Sequence, residues 1–231
     1  MYKLNLSDSE LLVVLGDIEA GPGTSRPNGL PSDLAQLTLQ QEVGMLGLLE
    51  DYTFTNSLDT SLFVASEHAF ASVFFKEVSD TYEALSLLGF DDEPDGSGGS
   101  DQHIDKEVLL GGRKLHFNSG TYDLGSGTNP TDYIIAANDK LVLLGNIVFS
   151  SASSNDILIL LSADSIDVSN LRSLTYTGEE LGIGSFEALN FENVSLKAEG
   201  ALSVRSLDSI VLNNAEMITS GKGADFVHLI A

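Results

Sequence analysis

The sequence predicts a mainly β protein whose second half is a parallel β-helix, a solenoid of stacked coils. A small α-helical region precedes it. Three observations predict this. Residues 156–168, DILILLSADSIDV, and 200–212, GALSVRSLDSIVL, repeat one phrase at an offset of 44. They share Leu158/Leu202, Ser162/Ser206, Asp164/Asp208, Ser165/Ser209 and Ile166/Ile210. A shorter phrase, a polar pair followed by apolar-any-apolar, recurs at Gly145–Phe149, Asp164–Val168, Glu192–Leu196 and Asp208–Leu212, with spacings of 19, 28 and 16. The hairpin dipeptides Asn-Gly and Asp-Gly, which antiparallel meanders favour, are absent from 104–231. A β-sandwich is the alternative, since it too would supply many short strands. The recurring phrases favour the solenoid, with coils of roughly 16–24 residues.

The elements read in order as follows. Ser7–Glu10 has capping-box form before the apolar run Leu11–Leu15. Residues 21–33, GPGTSRPNGLPSD, are a loop by composition. Asp33–Tyr52 carries Leu34, Leu37, Met45, Leu48 and Leu49 at helical spacing, weakened by Gly44 and Gly47. Ser61–Leu88 is the strongest helical segment, because Phe70, Phe74, Val78, Tyr82 and Leu85 follow at steps of three or four. Asp59 or Thr60 would cap it and Gly89 would stop it.

Residues 1–90 therefore form a helical N-terminal or capping region. Residues 91–103, opening DDEPDGSGGSD, form an acidic Gly/Ser-rich linker. Residues 104–231 form the solenoid.

Within it, strands are expected at Lys114–Phe117, Tyr133–Ala136, Leu141–Phe149, Ile157–Leu161, Ser165–Val168 and Ser173–Tyr176. More are expected at Ala188–Phe191, Val194–Leu196, Ala201–Val204, Ser209–Leu212 and Phe226–Ile230. Period-two pairs such as Leu202/Val204 and Ile210/Leu212 mark an inward face. Glu179–Ser185, EELGIGS, reads as an excursion that lengthens one coil. A coil cannot bury its apolar face alone, but stacked coils share one core. The end at Ala224–Ala231 reads as strand. It predicts either a fragment of a longer solenoid or an edge that pairs with another subunit to build a fibre.

The charge bounds the partners. Thirty-four acids against 11 bases give −23, and Arg113-Lys114 is the only adjacent basic pair. A polyanion such as nucleic acid would be repelled. The acidity reads as solubility and mutual repulsion. No stretch approaches the length of a membrane span. The absence of cysteine excludes disulfides and thiolate metal sites. The N-terminus does not have the form of a signal peptide.

The most specific candidate site is a calcium loop. Asp91, Glu93 and Asp95 alternate before Gly96 as in an EF-hand, with Asp101 close by. The twelfth position is Gln102 and Pro94 interrupts the loop, so a solvated linker is the competing reading. No other cofactor is expected, and no residue is assigned a catalytic role. His68, His103, His116 and His228 are far apart, without an HExxH arrangement, and no GxSxG elbow appears. Asp164 and Asp208 repeat at one coil position. They could form an acid pair that cleaves a glycosidic bond, or be turn residues that bond the backbone.

Segments such as GALSVRSLDSIVLNNAEMITSG resemble the coils of filamentous-haemagglutinin-type and autotransporter-passenger domains of bacteria. The resemblance covers roughly residues 110–231 and is one of texture. It implies a right-handed β-helix and an extracellular or cell-surface setting. It also implies a non-enzymatic structural or adhesive role, through self-association or a protein or glycan partner. The alternative is a carbohydrate-active β-helix, a glycan hydrolase or lyase.

Overall fold

The structure, a computed structural model, describes residues 51–65, 81–90, 107–125, 130–220 and 227–231. They form a β-solenoid of about five turns. The first coils run through β3 (Glu107–Phe117) and β4 (Gly120–Asp123), then β5 (Asp132–Leu143) and β6 (Gly145–Ser150). The next comprise β7 (Ile157–Ser162), β8 (Ser165–Asp167) and β9 (Leu171–Tyr176), then β10 (Glu180–Ser185), β11 (Leu189–Glu192) and β12 (Ser195–Ala198). The last comprise β13 (Ala201–Ser206), β14 (Ile210–Asn213) and β15 (Glu216–Thr219), then β16 (Val227–Ile230). Ahead of them lie β1 (Asp51–Phe54), β2 (Val64–Ala65) and helix α1 (Thr81–Leu88).

Every strand pair among the described residues is parallel except β2 with β3. That excludes the sandwich for this region. One face runs β3-β5-β7-β10-β13-β16, with the second halves of β3 and β5 continuing round a corner to β1 and β8. Another runs β4-β6-β9-β12-β15, and β11 pairs with β14 between the two.

Register makes the interior a set of columns. Tyr133, Leu158, Leu181, Leu202 and Val227 stack on successive coils, as do Ile135, Leu160, Ile183, Val204 and Leu229. All but the last member of each column are buried in one cluster. Burying a Leu or Ile contributes about 2 kcal/mol, so the columns supply much of the drive to stack. Near β1 the interior becomes aromatic, in a separate column that aligns Phe54, Phe117 and Leu143. Phe54 stacks on Phe117 at 4.6 Å, and Phe117 meets Phe149 edge-on at 5.3 Å. The Tyr122 hydroxyl donates between the carbonyl oxygens of Asn118 (2.6 Å) and Phe54 (3.0 Å).

The 44-residue offset is two coils. Ile157 aligns with Glu180, 23 residues on, and Glu180 with Ala201, 21 further. The four shorter phrases alternate between two faces, since two open β6 and β12 while two lead through β8 and β14. Their spacings are therefore not coil lengths.

Several expectations need correction. Glu179–Ser185 is no excursion; it holds β10, paired on both edges. Leu141–Phe149 is two strands, broken where Gly145 takes φ +71°. The helix expected over Ser61–Leu88 is interrupted, because Val64–Ala65 is strand and Thr60–Leu62 a single 3-10 turn. Asp59 does cap, but it caps that turn, accepting from the Ser61 N–H at 3.0 Å. Thr81–Leu88 is helical, and Gly89 ends it at φ +73° with the Phe90 N–H donating to the Leu85 carbonyl. Asp51 and Tyr52, expected at a helix end, lie in β1. Residues 1–50, 66–80 and 91–106 lie outside the described residues, and with them the remaining helical segments and the linker.

Helix α1 lies on the outer side of the first face. Its Ala84, Leu85 and Leu88 pack with Leu109, Ile134, Ala136 and Leu161. This explains the unbroken apolar runs of β5 and β7, since strands covered on both sides do not alternate. Gly182 and Gly184 leave room for Phe90, because a Cβ on either would stand 2.7 Å from its ring. The buried Arg205 closes the arrangement. Its guanidinium lies 4.8 Å from the Phe90 centroid and donates to the Leu88 carbonyl at the helix end.

Candidate functional site

Two corners of the coil carry polar residues at every turn, and they differ in what they leave exposed. The first follows β7, β10 and β13. Ser162, Ser185 and Ser206 are buried there, one per coil. Ser162 Oγ donates to the Asp139 carbonyl and accepts from the Asp164 N–H. Ser185 does the same between Asp164 and Glu187, and Ser206 between Glu187 and Asp208. One serine per coil thus ties its own turn to the turn below.

Asp139, Asp164, Glu187 and Asp208 consequently form an acidic column. Asp164 and Asp208 share a position but stand two coils apart, with Glu187 between them. The serine hydroxyls meet the Asp164 and Asp208 N–H groups and the Asp164 carbonyl, whereas the turn reading expected these residues to accept from the backbone.

The second corner lies between the β11–β14 face and the β6–β9–β12 face. Here the chain turns through left-handed residues: Gly145 at φ +71°, Asn193 at +55° and Asn214 at +52°. Asparagine tolerates this region because its short polar side chain bonds locally. At Gly145 the lack of a Cβ is also needed for contact, since a Cβ would stand 1.9 Å from Ser119 Oγ. That hydroxyl instead accepts from the Asn146 N–H at 3.0 Å. Ladder bonds then orient the amides. Ser173 Oγ donates to Asn146 Oδ1 at 3.0 Å, and Asn214 Nδ2 donates to Asn193 Oδ1 at 2.8 Å.

Beside this corner runs a groove of about 1370 Å³ that crosses the coils from Asn118–Ser119 to Asn190–Asn193. Its lining includes Leu144 and Ala188, half-buried, together with exposed Asn146, Asn170, Arg172, Asn190, Glu192 and Asn193. Asp167 lines it as well but is engaged. It pairs with Lys140 at 2.7 Å and accepts from the Ser169 N–H and hydroxyl. The Lys140 ammonium, with Ser169, holds the Asp167 carboxyl down at about 2. Arg172 forms no ion pair among the described residues. The groove can therefore offer amide and guanidinium donors beside a carboxylate acceptor.

A third polar cluster is internal. Asp156 is buried and accepts from the Thr131 N–H (2.8 Å), the Ser153 N–H (3.3 Å) and the Ser151 hydroxyl. Its own carbonyl accepts from the Glu179 N–H. It joins three consecutive coils where no strand does. Burial pushes the neighbouring Tyr176 hydroxyl far above the ordinary tyrosine range.

The expected calcium ligands Asp91, Glu93, Asp95 and Asp101 lie outside the described residues, as do His68 and His103. Among the described residues no three His, Asp or Glu are placed to hold one metal ion. His116 sits in β3 and His228 in β16, on coils well separated in the stack. None of the acidic column lines the groove. Sequence reasoning missed the groove, although two of the recurring polar pairs, Gly145-Asn146 and Glu192-Asn193, lie in it. The signal was in the phrase; without register it could not be assigned to a corner.

Fold and groove together define a parallel β-solenoid with a polar lateral groove. No family model, no curated protein and no solved structure matches the chain. Among the described residues no helix is long and apolar enough to cross a membrane.

Proposed function

We propose that the chain is a non-enzymatic structural and adhesive module of a bacterial surface or extracellular protein. In this reading the solenoid is a rigid support and the groove is where a partner docks. The observation that carries the reading is the construction of the groove. Outward amides recur along the coils, and the ladder bonds Ser173–Asn146 and Asn214–Asn193 fix their direction before any partner arrives. Preorganised polar groups bind without the entropy cost of ordering them. The net charge of −23 favours partners that are not polyanions.

Retention of beads carrying the chain, on surfaces coated with extracellular proteins or with polysaccharides, tests the proposal. The expected result is retention, with no release of new reducing ends or unsaturated products. Failure to be retained on any surface overturns the adhesive role. Polysaccharide turnover that is lost with Asp164→Ala and Asp208→Ala replaces it with the glycan-cleaving alternative.

A further inference from the structure

We infer that the groove binds an extended neutral glycan, an assignment that rests on the adhesive reading and names its ligand. Four classes of ligand can be compared with the groove's chemistry. An extended peptide added as a strand needs a free sheet edge. Of the strands that line the groove, β6 and β9 are paired on both edges. The others, β8 and β11, paired only with β5 and β14, are three and four residues long, so an added strand would gain few main-chain bonds. A polyanion meets Glu192 in the groove and a chain of net charge −23. An apolar ligand would strip water from Asn146, Asn190, Asn193 and Arg172 without replacing their hydrogen bonds, which is costly.

A polyhydroxyl chain fits what remains. Each hydroxyl both donates and accepts, and the groove supplies both senses. The carbonyl oxygens of Asn146 and Asn193 are taken by Ser173 and Asn214, which leaves their NH₂ groups as donors. Glu192 is an acceptor, Asn190 is both, and Arg172 offers a planar fork for vicinal hydroxyls. Leu144 provides an apolar patch for the C–H face of a ring. Three successive coils each contribute to this set, Asn146 on one, Arg172 on the next and Asn190, Glu192 and Asn193 on the third. The coil step of about 4.8 Å is close to the length of one pyranose unit, so successive sugars would meet successive coils. The glycan therefore lies along the solenoid axis, crossing the strands.

Isothermal titration of the full chain with hexasaccharides of glucose, mannose, galactose and N-acetylglucosamine tests this, with polygalacturonate as the anionic control. Binding to at least one neutral hexasaccharide is expected, and the Asn190→Ala/Glu192→Ala double variant should weaken it roughly tenfold or more. Both side chains are exposed, so the variant should keep the wild-type circular dichroism. Lys197→Ala, on an outward position outside the groove, should change nothing. Undiminished affinity in the double variant, tighter binding of polygalacturonate, or no binding to any neutral hexasaccharide overturns the assignment. If the glycans fail while beads are still retained on protein-coated surfaces, the glycan assignment falls and the adhesive reading stands. If retention fails everywhere, both fall.

Discussion

Ser162 and Ser206 close the same corner two coils apart, each donating to a carbonyl of the coil before and accepting from the N–H two residues on. Ser185 repeats the arrangement between them. The phrase written twice in the sequence is therefore a structural instruction: it specifies where the coil turns and how the turn is tied down. Asp164 and Asp208 stand where the backbone N–H meets those serines, as Glu187 does on the coil between.

Removing one tie should take the serine hydroxyl away from a part-buried carbonyl and a part-buried N–H. Ser185→Ala is expected to cost about 1–2 kcal/mol, read from the urea midpoint with unchanged slope. Ser185→Thr keeps the hydroxyl and should recover part of the loss. An alanine variant as stable as the parent would contradict the tie.

Asp156 should matter more. It is a buried acceptor for donors from two coils, so Asp156→Ala strands the Thr131 and Ser153 N–H groups. A loss of about 3 kcal/mol is expected, with Asp156→Asn losing less because one acceptor oxygen remains. Thermal melts of the two variants rank them; equal melting temperatures for Asn and Ala would contradict the role.

The strands legible in the sequence were those whose neighbours are ordinary. Ile157–Leu161 and Ala201–Val204 show β-branched or aliphatic residues at the inward positions, and both are strands. The strand between them, β10, was misread because Gly182 and Gly184 destroy its β character. Those glycines answer to Phe90, about a hundred residues earlier in the chain, and no local pattern carries that information. Gly120–Asp123 and Glu216–Thr219 were missed for a related reason, since each has few inward aliphatic residues. The groove was illegible because its residues look like turn formers one at a time. Only register places Asn146 and Glu192 along one groove.

Gly184 makes this dependence testable. A Cβ there would stand 2.7 Å from Phe90, 2.8 Å from Leu161 and 2.9 Å from Leu88. Gly184→Val should lift α1 from the sheet at a cost of about 2 kcal/mol. Hydrogen exchange should quicken at residues 85–90 while β10 and β13 stay protected. Unchanged protection at 85–90 would mean the helix does not rest on the glycines.

The Lys140–Asp167 pair sets an acid limit. Asp167 has its folded pKa depressed to about 2 from an ordinary 3.8. A depressed carboxylate contributes stability that is fully present above its unfolded value and lost as pH falls through its folded value. Its contribution should therefore fade between about pH 3.8 and 2. In Lys140→Met, carboxyl NMR should show Asp167 titrating at higher pH; an unmoved midpoint would contradict the pairing.

The order of the columns places β10 between the two copies of the repeated phrase. Methyl-resolved NMR of the leucine and isoleucine side chains reads that order directly. Strong methyl contacts are expected from Leu158 to Leu181 and from Leu181 to Leu202, with none between Leu158 and Leu202. A direct contact between Leu158 and Leu202 would put the two copies on neighbouring coils and contradict the stack.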